Sequence, residues 1–151
     1  MSSIRPEDFC DVFEQLKSAG VPYVVVGGMA VLLHGNDRPV MDLDLAVSSD
    51  PQHSNITMHA MLMSGFVPTV PLPLSLVTVM RMFDASGREV DLMVNTVVPF
   101  NELWADSIEV PVGETHARVA SLQHLVRDKQ MTARPEDLED IELLKGMKHN
   151  R

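Results

Sequence analysis

The chain has 151 residues, 45% of them hydrophobic and 22% charged, enough for a real core and too apolar for general disorder. Twelve Lys and Arg against 21 Asp and Glu leave a net charge of −9, which excludes the broad basic footprint of a non-specific nucleic-acid binder. A single cysteine, Cys10, excludes an internal disulfide and a cysteine zinc cluster.

No apolar run approaches the roughly 20 residues of a membrane span, and the acidic start MSSIRPEDF does not read as a secretion signal, so a cytoplasmic protein without a membrane partner is expected. Pro6, Glu7 and Asp8 make a favourable first helical turn. Phe9, Val12, Phe13 and Leu16 then recur at helical spacing until Gly20 closes the helix.

Val21 to Gly27 is a nearly continuous apolar run, as expected of a strand buried on both faces. Gly27 and Gly28 end it and allow backbone angles or close approaches that a Cβ would block. A short helix, Met29 to His34, should follow, its first amides offering an anion site in front of the glycines. His34 is expected to cap or pack. Arg38, in the polar loop 36–40, either binds a phosphate or braces the loop against nearby acids.

The next strand carries Asp42 and Asp44 with Leu43 between them. Residues two apart on a strand share a face at roughly 7 Å, so the two carboxylates point one way and Leu43 and Leu45 the other, into the core. Paired anions repel unless a cation compensates them, and a divalent metal held by carboxylates, water and phosphate oxygens does so. An exposed acidic strand edge is the plainer alternative.

A turn over 48–52 leads to a helix from His53 to Met63, closed by Gly65, and then to a proline-stiffened loop over 67–74. A hairpin follows: strand Leu76 to Phe83, turn Asp84 to Gly87, strand Arg88 to Val94. Asp91 lies inside the apolar run VDLMV, where it needs a metal, an arginine or a proton. Arg88 and Glu89 read as ordinary exposed hairpin charges. Pro99 to Ala105 suggests a short turn or helix with Trp104 packed against the body, and Ile108 to Val112 with His116 to Ala120 a hairpin around Gly113. Ser121 is placed to cap a helix from Leu122 to Met131 that carries Lys129, and Pro135 starts a last helix before a basic tail, Lys145 to Arg151.

The order of strand, Gly27-Gly28, short helix, Asp42-x-Asp44 and a later strand with Asp91 resembles the nucleotidyltransferase superfamily whose fold is shared with DNA polymerase beta. More narrowly, GGMAVLLHGNDRPVMDLDL and SLQHLVRDKQMTARPEDLEDI resemble the small prokaryotic members that include toxins of toxin–antitoxin pairs and antibiotic-modifying enzymes. The resemblance spans about Phe9 to Leu144. It implies an α+β fold, a mixed sheet with packed helices and a C-terminal helical segment. It further implies one domain over 1–151, its core about 9–120 and its C-terminal helices about 121–147.

Carried over by residue, the resemblance makes Asp42, Asp44 and Asp91 the catalytic and metal-binding carboxylates, Gly27 and Gly28 the triphosphate turn and Lys129 a nucleotide contact. Gly28 stands where many members have serine, and Val40 where relatives often have threonine. The implied activity is Mg²⁺-dependent transfer of an NMP from a nucleoside triphosphate to an acceptor hydroxyl, with two Mg²⁺ ions, or Mn²⁺ in their place, and pyrophosphate released. The acceptor is a protein or small-molecule hydroxyl, with a tRNA end as a further candidate held by Arg127, Lys129 and Arg134. A cognate antitoxin is a candidate partner. The alternative is a catalytically silent nucleotide- or partner-binding module of the same fold. No G-x-x-x-x-G-K-[ST] loop and no G-x-S-x-G elbow occurs, so a P-loop and a serine-hydrolase elbow are excluded.

Overall fold

A computed structural model describes residues 3–132, and for 128–132 the backbone alone. Arg134, the helix expected from Pro135, the rest of the 121–147 segment and the basic tail lie outside the described residues.

The described chain is α+β, with seven strands in one mixed sheet and five α-helices. The strands are β1 (Tyr23–Val26), β2 (Leu43–Val47), β3 (Val67–Pro68), β4 (Val79–Phe83), β5 (Glu89–Met93), β6 (Ile108–Val112) and β7 (Thr115–Val119). The helices are α1 (Cys10–Ala19), α2 (Gly27–Leu33), α3 (Pro51–Met63), α4 (Phe100–Ala105) and α5 (Leu122–Thr132). Across the sheet the order is β3-β4-β5-β2-β1-β7-β6. β2 lies parallel to β5 and β1 parallel to β7, while β1–β2, β3–β4, β4–β5 and β6–β7 are antiparallel.

The core follows the apolar periodicity. α1 buries Val12, Phe13 and Leu16, and packs against α3, whose Met61 is fully buried. Leu43, Leu45, Met80, Met82, Val90 and Leu92 are fully buried from β2, β4 and β5. Each such side chain contributes about 1.5 to 3 kcal/mol relative to exposure, so the strands that carry the acids are pinned in register by the residues between them. Gly20 ends α1 at φ +72° with its N–H on the Leu16 and Lys17 carbonyls. Asp50 caps α3 by accepting from the Gln52 and His53 amides at 2.9 and 3.3 Å.

His34 is buried at the end of α2, its Nε2–H donating to the Ala120 carbonyl at 2.7 Å, which joins this helix to the end of β7 as a packing histidine. The Ser121 hydroxyl accepts from the His124 amide at 3.3 Å, as its capping position requires.

Several boundaries differ from the sequence reading. α2 starts at Gly27 itself, because Gly27 at φ +67° turns the chain out of β1 without a separate loop. The strand expected over Leu76 to Phe83 is shorter: a 3-10 turn over Leu74–Leu76 follows Pro73, and pairing begins at Val79. Arg88 is no ordinary surface charge. It donates to the Asp84 carboxylate at 2.7 Å and the Asp11 carboxylate at 2.9 and 3.0 Å, and lies over the Phe9 and Phe66 rings at 5.5 and 4.9 Å. It clamps the hairpin turn onto α1.

Candidate active site

Register brings the acids together. Val26 of β1 pairs with Asp44 of β2, Asp44 with Asp91 of β5, and Asp91 with Arg81 of β4. Residues paired across adjacent strands share a face at about 4.8 Å spacing, so this row crosses four strands with its side chains on one side. Asp42 sits at a bend one residue before β2, two positions from Asp44, and joins the same group. One oxygen each from Asp42, Asp44 and Asp91 lies within 4.8 Å of the others. The structure therefore assembles the three acids singled out in the sequence.

Gly27 stands at the end of the row. A Cβ there would collide with Asp44 Oδ2, so the first glycine is required twice, by its positive φ and by the carboxylate against its Cα. Gly28 is less constrained: a Cβ there would meet Val40 Cγ2 at an ordinary 3.7 Å.

The electrostatics are those of an under-compensated anionic cluster. Burial, then repulsion from Asp42 and Asp91, pushes Asp44 up to about 7, despite the opposing pull of Arg81. Asp42 is raised by burial and then by Asp91, and Asp91 by burial and then by Glu89. Asp91 is 5% exposed, and its Oδ1 is buried with no hydrogen-bond partner among the described residues. Such an oxygen is costly to leave unmet, and a cation in front of it would meet it. Three oxygen donors in reach of one another, with no sulfur or imidazole among them, suit a hard divalent ion such as Mg²⁺.

Two residues of this face were not singled out in the sequence. Arg81 Nε lies 3.3 Å from Glu89 Oε2 and 3.4 Å from Asp91 Oδ1. Glu89 is two residues before Asp91 on β5 and adds a fourth carboxylate to the face. No signal in the sequence pointed to Arg81, because counting pairs from a turn over 84–87 sets it opposite Val90 rather than Asp91.

The other sequence candidates are not brought into the cluster. Arg38 lines a separate cavity of about 220 Å³ with Arg5, Glu7 and Asp37, and none of the three acids lines it. Lys129 lies on α5, which packs against α2, but its side chain is outside the described residues.

The structural comparison finds nucleotidyltransferases with this fold. The lincosamide antibiotic adenylyltransferase LnuA, solved with lincomycin bound, superposes with a TM-score of 0.69 at 18% identity, covering 97% of this chain and 99% of that one. ANT(2")-Ia in complex with adenylyl-2"-tobramycin gives 0.68 at 14% identity, over 92% of this chain and 86% of that one. An antigenic nucleotidyltransferase-like protein from Paracoccidioides brasiliensis gives 0.64 at 18% identity, over 97% and 77%. The chain thus has the fold of these nucleotidyltransferases. No family model and no curated protein matches it in sequence.

Proposed function

We propose that the protein is a metal-dependent nucleotidyltransferase that moves a nucleoside monophosphate from a nucleoside triphosphate to an acceptor hydroxyl. The observation that carries this reading is the meeting of Asp42, Asp44 and Asp91 within 4.8 Å beside Gly27, with a buried Asp91 oxygen that accepts no hydrogen bond among the described residues.

Asp42, Asp44 and Asp91 are the residues that would hold Mg²⁺, or Mn²⁺ in its place. When bound, the ions would supply charge neutralisation at the triphosphate and a lower pKa for the attacking hydroxyl. The acceptor oxygen attacks the α-phosphorus, the bond to the bridging oxygen of the β-phosphate breaks, and pyrophosphate departs with that oxygen. The hydroxyl proton passes to Asp91, the role that the sequence resemblance implies for the third carboxylate. The glycine turn keeps the approach to Asp44 open for the phosphates. Lys129 and Arg38 complete the proposal as nucleotide contacts. The packing of α5 on α2 supports Lys129, and Arg38 rests on the sequence reading alone.

A small-molecule hydroxyl is the acceptor we favour, since two of the structural neighbours were solved with lincomycin and with adenylyl-2"-tobramycin. The net charge of −9 agrees with an acceptor other than an extended RNA. The toxin role and its antitoxin partner rest on the sequence resemblance. No helix among the described residues is long and apolar enough to cross a membrane, in keeping with the cytoplasmic placement in this reading.

Incubation of the protein with each α-labelled nucleoside triphosphate, Mg²⁺ and a cell extract tests the reading. Label should appear on an acceptor with the parent protein and vanish with Asp91→Asn. Nucleotide binding without any transfer would instead support the silent module.

A further inference from the structure

Arg81 is the one charged partner that the cluster draws from β4, and it is loosely held. Its Nε contacts of 3.3 Å to Glu89 and 3.4 Å to Asp91 are long for charge-assisted bonds, and the side chain is 59% exposed while that of Asp91 is 8% exposed. The Asp91 oxygen it faces remains without a hydrogen bond, so the guanidinium neutralises it without satisfying it. A long, mostly solvated side chain in such a position can leave at little cost. A dication at the same oxygen would repel it. Glu89 lies outward of Asp91 on the same strand face and already holds the other side of the Nε contact.

We propose that Arg81 is the resting counter-ion of the carboxylate cluster, exchanged for the divalent ion when the site loads, with Glu89 as the post that retains it. This rests on the metal-site reading above and deepens it: Arg81 and Glu89 are positioning residues that set how readily the ion enters. In the metal-free protein Arg81 shields the cluster. When the ion enters at Asp42, Asp44 and Asp91, Arg81 swings from Asp91 to Glu89 alone.

The test is Mn²⁺ binding to the full chain without nucleotide, read as free Mn²⁺ by electron paramagnetic resonance, with thermal unfolding in chelator as the companion measurement. Arg81→Gln removes the competitor and should tighten Mn²⁺ binding by up to about fivefold, the range expected for one partly exposed ion pair. The same variant should unfold at a lower temperature in chelator, because the acids lose their shield. Arg81→Lys keeps the charge and should stay within about twofold of the parent. Glu89→Gln should weaken Mn²⁺ binding more in the parent than in the Arg81→Gln background. Unchanged or weaker Mn²⁺ binding in Arg81→Gln would overturn the exchange, as would an Arg81→Lys protein that matches Arg81→Gln. Equal losses from Glu89→Gln in both backgrounds would remove Glu89 as the post. Failure of the parent itself to bind Mn²⁺ would remove the metal site, a result distinct from binding that ignores Arg81.

Discussion

Replacing Asp44 with Asn separates the cost of the acidic cluster from its use. In the unfolded chain this carboxyl ionises near 3.8, and in the folded, metal-free protein near 7. Its folded pKa is raised, so the folded state keeps a proton that the unfolded state has already lost. The resulting stabilisation is fully present below about pH 4 and is lost as pH rises through about 7. A difference of that size corresponds to roughly 4 kcal/mol as an upper limit. Asn does not titrate. The variant should therefore equal the parent in stability near pH 4 and exceed it in chelator at pH 8 by up to about 4 kcal/mol, or about 10 °C in melting temperature for a chain of this length. A divalent ion at about one hundred times its dissociation constant should restore about 2.7 kcal/mol to the parent. The Asn variant should gain almost none of it. Scanning calorimetry at several pH values, in chelator and in Mn²⁺, reads both effects as the difference between the two proteins. A variant that shows the parent's Mn²⁺-induced rise, or two melting temperatures that stay equal from pH 4 to pH 8, would refute a raised Asp44 pKa at a metal site.

Gly27→Ala should cost about 1 to 3 kcal/mol, from its positive φ and the collision with Asp44, and should abolish the ion-induced rise in melting temperature. Gly28→Ala, which meets Val40 at an ordinary distance, should change stability by less than about 1 kcal/mol and keep that rise, so equal damage at both glycines would count against the geometry. Arg88→Met should destabilise the fold by about 2 to 4 kcal/mol in chemical denaturation, through loss of the Asp84 and Asp11 pairs and the contacts with Phe9 and Phe66. The Asp84 carboxyl is disfavoured as an anion by burial, yet the Arg88 guanidinium and the Ser86 hydroxyl hold its pKa at about 2. That stabilisation is present above about pH 4 and is lost as pH falls through 2, so acid unfolding of Arg88→Met should be shallower between pH 4 and pH 2 than that of the parent.

The strands with strict alternation were legible in sequence, because each placed fully buried leucines or methionines between its polar residues. Leu43 and Leu45 fix the side on which Asp44 emerges, and Val90 and Leu92 do the same for Asp91. The glycine turn was legible as a turn, but the collision that makes Gly27 indispensable involves Asp44, 17 residues later, and leaves no local signal. Arg81 was hidden by one residue of hairpin register. A four-residue turn over 84–87 would pair Phe83 with Arg88 and set Arg81 opposite Val90. The observed pairing joins Phe83 to Glu89, because the Asp84 amide donates to the Arg88 carbonyl at 3.1 Å, and this sets Arg81 opposite Asp91. In a structure with a period of two, that single step moves a charge to the other face.

Arg88 decides that step, and so it acts on the site from a distance. Its backbone amide and guanidinium both donate to Asp84, at 2.8 and 2.7 Å, which closes the five-residue loop. Its guanidinium also grips Asp11 and the Asp8 carbonyl, which ties that loop to α1 and to the turn before it. A shorter loop would send Arg81 and the acids to opposite faces, leaving Asp91 with neither counter-ion nor shield. The half-buried clamp, remote from any chemistry, thereby sets the pairing that brings a cation to the acids, while the buried leucines and valines between them fix which way the acids face.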